Sequence, residues 1–213
     1  MNGPGPDAAP PGEGAAATPR DTPWNLHAIL SRSAANGPGL RCVIWSQGCA
    51  LACPGCFNPG THPAGGALGG PGHVRTAGDV ADQVISDAEA LEGVTLTGGE
   101  PLEQPAATAA FCAELKARTR LGVILLTGFT RREIETDPAR AAAVAHADSV
   151  LAGRYNERLR LARGLRGSSN KDHWSRTGRY SARDLCEVPD LEFAPAFGGT
   201  VPITGAPSRR GDF

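Results

Sequence analysis

Apolar positions along the chain fall into short strand-like runs separated by stretches of helical spacing. Leu40-Arg41-Cys42-Val43-Ile44-Trp45, Gly93 to Thr97 and Gly122 to Thr127 each read as a strand. Between the first two, Thr76 with Asp79 forms a capping-box pattern, and Val80, Val84, Ala88 and Leu91 recur at helical spacing. Pro101 is expected to open the next helix, with Phe111, Cys112 and Leu115 on or near one face. Asp137-Pro138 reads as an N-cap and first turn for an Ala-rich helix to about His146. Upstream, Trp24, Leu26, Ile29 and Leu30 supply further apolar side chains.

Alternating strands and helices give an α/β fold with a parallel sheet. At 213 residues the chain falls short of the roughly 250 that a complete eight-fold β/α barrel takes, so any barrel is partial and open. Composition divides the chain further. Residues 1–23 are rich in Pro, Gly and Ala and read as a disordered extension; residues 24–178 form the core domain. Residues 179–213 read as a C-terminal extension with a small hairpin: Glu187-Val188 and Leu191 to Phe193 against Thr200 to Thr204, turned at Gly198-Gly199, with Pro202 confined to an edge. The Gly-rich stretch 59–74 lacks a following Gly-Lys-Ser/Thr and reads as a flexible connection rather than a phosphate loop.

The formal net charge is -1, which argues against a general nucleic-acid binder, and no specific nucleic-acid partner is expected. The charges are unevenly spread. Residues 76–105 carry seven acidic side chains and no Lys or Arg, whereas residues 154–183 carry eight Arg and Lys171 against Glu157 and Asp172. Such a basic run reads first as a solvated face, and otherwise as a surface for an acidic partner or nucleotide phosphates. The N-terminus has neither a basic n-region nor an apolar h-region, and no apolar run reaches the 18 or so residues of a membrane span. A cytoplasmic setting is expected, where six cysteines read as metal ligands and buried thiols.

The chemistry concentrates in Cys49-Ala50-Leu51-Ala52-Cys53-Pro54-Gly55-Cys56, directly after the first strand. Three thiolates spaced C-x3-C-x2-C suit an iron–sulfur cluster or zinc, and Pro54-Gly55 forces a tight reversal between the last two. Three local ligands rather than four leave one position open. A zinc loop completed by Cys42 or His62 is the bland alternative. Cys112 and Cys186 read as structural thiols, and His146 as a residue without a catalytic task.

With Gly98-Gly99-Glu100-Pro101 after the second strand and Thr127-Gly128-Phe129 after the third, the cysteine spacing resembles the radical S-adenosylmethionine (SAM) enzymes. Cys53-Pro54-Gly55-Cys56-Phe57-Asn58 resembles in particular the activating proteins of anaerobic ribonucleoside-triphosphate reductase. Asp148 to Tyr155 and Arg166-Gly167-Ser168-Ser169-Asn170 are similar to two further segments of that family. Ala152 stands where the family has a second acid, and Lys171 where Gln is usual.

The resemblance implies a partial barrel of the radical SAM type and a 4Fe-4S cluster on Cys49, Cys53 and Cys56. It implies SAM held at Gly98, Gly99, Glu100 and Pro101, with Phe57, Thr127 and Gly128 also at the cofactor. The activity implied is reductive cleavage of SAM to a 5'-deoxyadenosyl radical, generating a glycyl radical on a partner enzyme, with flavodoxin or ferredoxin as electron donor. Two other readings stay open: a free-standing radical SAM enzyme that modifies a peptide or small metabolite, and a non-catalytic metal-binding interaction module.

Overall fold

The computed structural model describes residues 18–64, 73–161, 163–193 and 203–205. A seven-stranded sheet runs in the order β3-β1-β2-β4-β5-β6-β7, where β1 is Pro23–Ser33, β2 Arg41–Ser46, β3 His73–Thr76, β4 Gly93–Gly98, β5 Gly122–Leu126, β6 Ser149–Ala152 and β7 Asp172–Ser175. The central strands β2, β4, β5 and β6 are parallel. Antiparallel strands bound them on both sides, β1 and β3 at one edge and β7 at the other. The sheet does not close, so the expected open partial barrel is what forms. The three strands expected from apolar runs, with the segment Asp148 to Tyr155 that is similar to a strand of the family, are its parallel centre.

The pleat sends alternate side chains to opposite faces. Val94 and Leu96, Val123 and Leu125, and Val150 and Ala152 share one core with the helices α1 (Ala77–Ser86), α2 (Pro105–Arg118) and α4 (Pro138–Ala143). On the other face Ile124 and Leu151 meet Tyr180 and Leu185. Both faces are therefore covered, which is why Val123, Ile124 and Leu125 can follow one another fully buried. The short helix α3 (Arg131–Glu135) precedes α4 and starts at a capping box made by Thr130 and Glu133.

Several local expectations change. Helix α1 starts at Thr76, whose side chain accepts from Asp79 N, but it stops at Ser86. Asp87 takes φ -106° and ψ 8° and a 3-10 turn, Ala88–Ala90, follows, so Ala88 and Leu91 lie beyond the helix. Pro101 opens a 3-10 turn, Pro101–Glu103, and Pro105 opens α2. The helix after Asp137-Pro138 ends at Ala143. His73–Thr76, read as the end of a flexible connection, is edge strand β3; residues 65–72 of that stretch lie outside the described residues.

Residues 1–17 also lie outside them, but Thr18 onward is folded: Arg20 pairs with Asp82 and Glu114, fastening a 3-10 turn, Pro19–Asp21, to α1 and α2. At the other end, β8 (Leu191–Phe193) and β9 (Ile203–Gly205) form an antiparallel pair that leaves out Glu187-Val188; residues 194–202, with Gly198, Gly199 and Pro202, lie outside the described residues. Glu192 binds Ser33 Oγ at 2.6 Å and Ala34 N at 3.0 Å, so this pair is tied to the end of β1. Part of the acidic stretch is paired within the chain: Asp82 with Arg20 and Arg118, and Glu92 with Arg179 at 2.9 Å. Among the described residues no helix is long and apolar enough to cross a membrane.

Candidate active site

All four parallel strands present their carboxyl ends to one side of the sheet, where β/α folds gather functional loops. The cysteine loop leaves β2 there, Gly98-Gly99-Glu100 ends β4, Thr127-Gly128 ends β5, and Gly153 to Tyr155 follows β6. They surround an open cleft of about 700 Å³, counted out to its solvent-facing mouth.

The cysteine loop is held by its backbone. Gly48 N donates to Thr61 O at 2.8 Å and Cys49 N to His62 O at 3.0 Å, which pairs the loop's start with the 3-10 turn Pro59–Thr61. Ala50 N donates to both Glu103 oxygens, at 2.9 and 3.1 Å. Cys56 N donates to Cys53 O at 3.1 Å, with Gly55 at φ 70°, so Pro54-Gly55 makes the tight reversal its sequence demands. Ala52, between the first two cysteines, has φ 43°, the single positive value at a non-glycine position among the described residues. Backbone held in that region is costly and gathers at functional loops.

Gly98 and Gly99 fuse the two motifs. Gly99 N donates to Ser46 O at 2.8 Å and Glu100 N to Gly48 O at 2.9 Å. A Cβ on Gly99 would overlap the Gly48 carbonyl, so glycine here serves the approach of one loop to the other as well as the cleft. Glu100 is 1% exposed. Its Oε1 accepts from Thr127 Oγ1 at 2.7 Å and Leu102 N at 2.9 Å, and its Oε2 from Gly128 N at 2.7 Å. Burial still pushes its carboxyl above the usual range, because three donors and the Lys171 charge only partly offset desolvation.

Cys49, Cys53 and Cys56 all line this cleft, with Gly98, Gly99, Glu100, Thr127, Gly128 and Phe57. Among the sequence-expected site residues, Pro101 is the exception: it is buried beneath the lining, and its carbonyl accepts from Thr108 Oγ1 at 2.8 Å. Burial pushes the thiols of Cys49 and Cys56 up, against the pull of nearby backbone N–H groups. Phe57 stands at the rim, 37% exposed, against Tyr155 at 4.7 Å between ring centroids and with Arg160 over its face. Three soft thiol donors around one open cleft fit an iron–sulfur cluster with a free position. Among the described residues no three His, Cys, Asp or Glu side chains converge on the single point that one metal ion would occupy. His62 does line the cleft, but Cys42 belongs to the core, its thiol pushed up to about 12 by burial.

Other residues emerge only in three dimensions. Gln104 brackets the base of the site, accepting from Asn25 N at 2.7 Å and donating to Asn25 O at 2.9 Å and Gln47 O at 3.1 Å. Lys171 and Arg166 line the cleft from the turn before β7. Burial pulls the Lys171 ammonium below its usual range, while Glu100, Cys53 and Cys56 pull it back up. Ala152 points away from the cleft into the helix-side core, so the acid it replaces would not have lined this cavity from the observed backbone.

A family model described as a 4Fe-4S single cluster domain matches residues 35–174. The anaerobic ribonucleoside-triphosphate reductase-activating protein of Enterobacteria phage T4 is 30% identical over 145 residues, covering 67% of this chain and 88% of that protein. Its namesake in Vibrio cholerae is 27% identical over 155 residues, covering 69% and 95%. The pyruvate formate-lyase-activating enzyme of Listeria monocytogenes is 39% identical over 83 residues, 37% of this chain, and the match spans only 32% of that enzyme's length. The chain belongs to the 4Fe-4S single cluster domain family, in its radical SAM branch, alongside the anaerobic ribonucleoside-triphosphate reductase-activating proteins.

Proposed function

We propose that the chain is a radical SAM enzyme that generates a glycyl radical on a partner enzyme of the anaerobic ribonucleotide reductase type. One observation carries the reading: three thiols and the Gly98-Gly99 turn line a single cleft, and the turn is hydrogen-bonded to the base of the cysteine loop. Cys49, Cys53 and Cys56 would hold a 4Fe-4S cluster, and the carbonyls of the Gly98-Gly99 turn would accept from the SAM ammonium. With both groups bound, the site would supply one-electron reductive cleavage of SAM to a 5'-deoxyadenosyl radical capable of taking hydrogen from a C–H bond. Glu100 holds the ends of β4 and β5 at a fixed spacing, which keeps the two binding loops in register.

The cleft is open to solvent and Phe57 is exposed in its lining, which suits a loop of a large partner. The names of the phage and Vibrio relatives favour that kind of partner. A low-potential donor such as flavodoxin or ferredoxin would supply the electron, and a reducing cytoplasm suits the free, half-exposed thiols of the loop.

The test is anaerobic incubation of the iron-loaded protein, SAM and reductant with an anaerobic ribonucleoside-triphosphate reductase. Electron paramagnetic resonance should show a glycyl radical that needs all three components. SAM turnover on a peptide or small metabolite, with no radical on the reductase, would overturn the partner reading.

A further inference from the structure

Lys171 lines the cleft together with Cys49, Cys53, Cys56 and Glu100. Its backbone is fixed. Lys171 N donates to Ser168 O at 3.3 Å, and Lys171 O accepts from Arg166 Nη2 at 2.8 Å. The side chain lines the cleft, and Nζ donates to Thr127 O at a long 3.4 Å. An ammonium has three donors and this long bond engages one, so the charge remains at the lining of the open cleft. The Glu100 oxygens there already accept from Thr127, Gly128 and Leu102. Cys49, Cys53 and Cys56 line the same cleft.

We propose that Lys171 is a fixed counter-charge in the cleft and raises the reduction potential of the cluster bound there. The inference rests on the cluster reading above. A 4Fe-4S core held by three thiolates is net anionic, and uptake of one electron from a low-potential donor makes it more so. A cation held beside it favours the reduced state, because net charge is one of the levers on cluster potential.

The test uses the full chain loaded anaerobically with iron and sulfide, as wild type, Lys171→Gln, Lys171→Met and Lys171→Arg. Iron and sulfide content and visible absorbance establish the cluster, and a mediator titration followed by electron paramagnetic resonance gives the midpoint without SAM. Both neutral variants should keep a full cluster and titrate at a more negative potential, while Lys171→Arg stays near wild type. Full clusters with unmoved midpoints would overturn the role of Lys171 and leave the cluster reading intact. An arginine variant shifted as far as the neutral ones would also overturn it, as would loss of the cluster from both neutral variants. A wild-type chain that takes up no cluster would sink both claims together.

Discussion

The hydroxyl of Thr127 donates to the buried carboxylate of Glu100 at 2.7 Å, joining the carboxyl ends of β5 and β4 beneath the cleft. Thr127→Val keeps the shape and removes the donor from a desolvated acceptor. A loss of about 1–3 kcal/mol is expected, read as a lower urea midpoint at unchanged slope. Glu100→Ala should cost more, since it strands Thr127 Oγ1 and the N–H groups of Gly128 and Leu102 together.

Two glycines near the site should answer oppositely to the same substitution. Gly99→Ala forces a methyl into the Gly48 carbonyl and should part the β4 turn from the cysteine loop, with several-fold lower iron uptake. Gly60→Ala meets nothing within 4 Å and should leave iron uptake and stability unchanged. Parallel iron titrations and melting curves compare the two.

The six thiols divide by burial. Cys42 and Cys112 are pushed up to about 12, so at pH 8 only on the order of one in ten thousand is thiolate. Cys49, Cys53 and Cys56 are half-exposed around the cleft. Brief iodoacetamide treatment of iron-free native protein, mapped by mass spectrometry, should label the loop cysteines and spare Cys42 and Cys112. Labelling of Cys42 before the loop would contradict the burial described.

Glu133 carries an acid-sensitive contribution. Hydrogen bonding from Thr130 N, then from Arg154, draws its pKa down to about 2. Because the folded value lies below the unfolded one, near 4.3, the contribution is present above the unfolded pKa and fades as pH falls toward about 2. Both side chains are 40% exposed, so solvent screening holds it to about 1 kcal/mol or less. Urea midpoints of wild type and Glu133→Gln should differ at pH 7 and converge near pH 2.

The parallel centre of the sheet was legible because β2, β4, β5 and β6 must be apolar on both faces, which leaves runs such as Val123-Ile124-Leu125. The edges were not. β1 mixes buried Leu26 with exposed Arg32, and β3 and β7 are four-residue strands defined by their pairing more than by their side chains. The helix boundaries moved where a polar residue intervened, as Asp87 does after α1. The cysteine loop and the Gly98-Gly99 turn could be read because few residue types meet their demands on ligation and backbone. Gln104 and Lys171 could not, since a polar side chain in a turn or helix start says nothing of what it meets 57 or 44 residues away.

The central claim is that Cys49, Cys53 and Cys56 hold a cluster on which SAM is cleaved. Its most direct test loads the chain anaerobically with iron and sulfide, reduces it, adds SAM, and quantifies 5'-deoxyadenosine beside a variant with all three cysteines changed to alanine. The expected result is product from the wild type and none from the variant. Equal product from both, or a full cluster in the triple variant, would contradict the assignment.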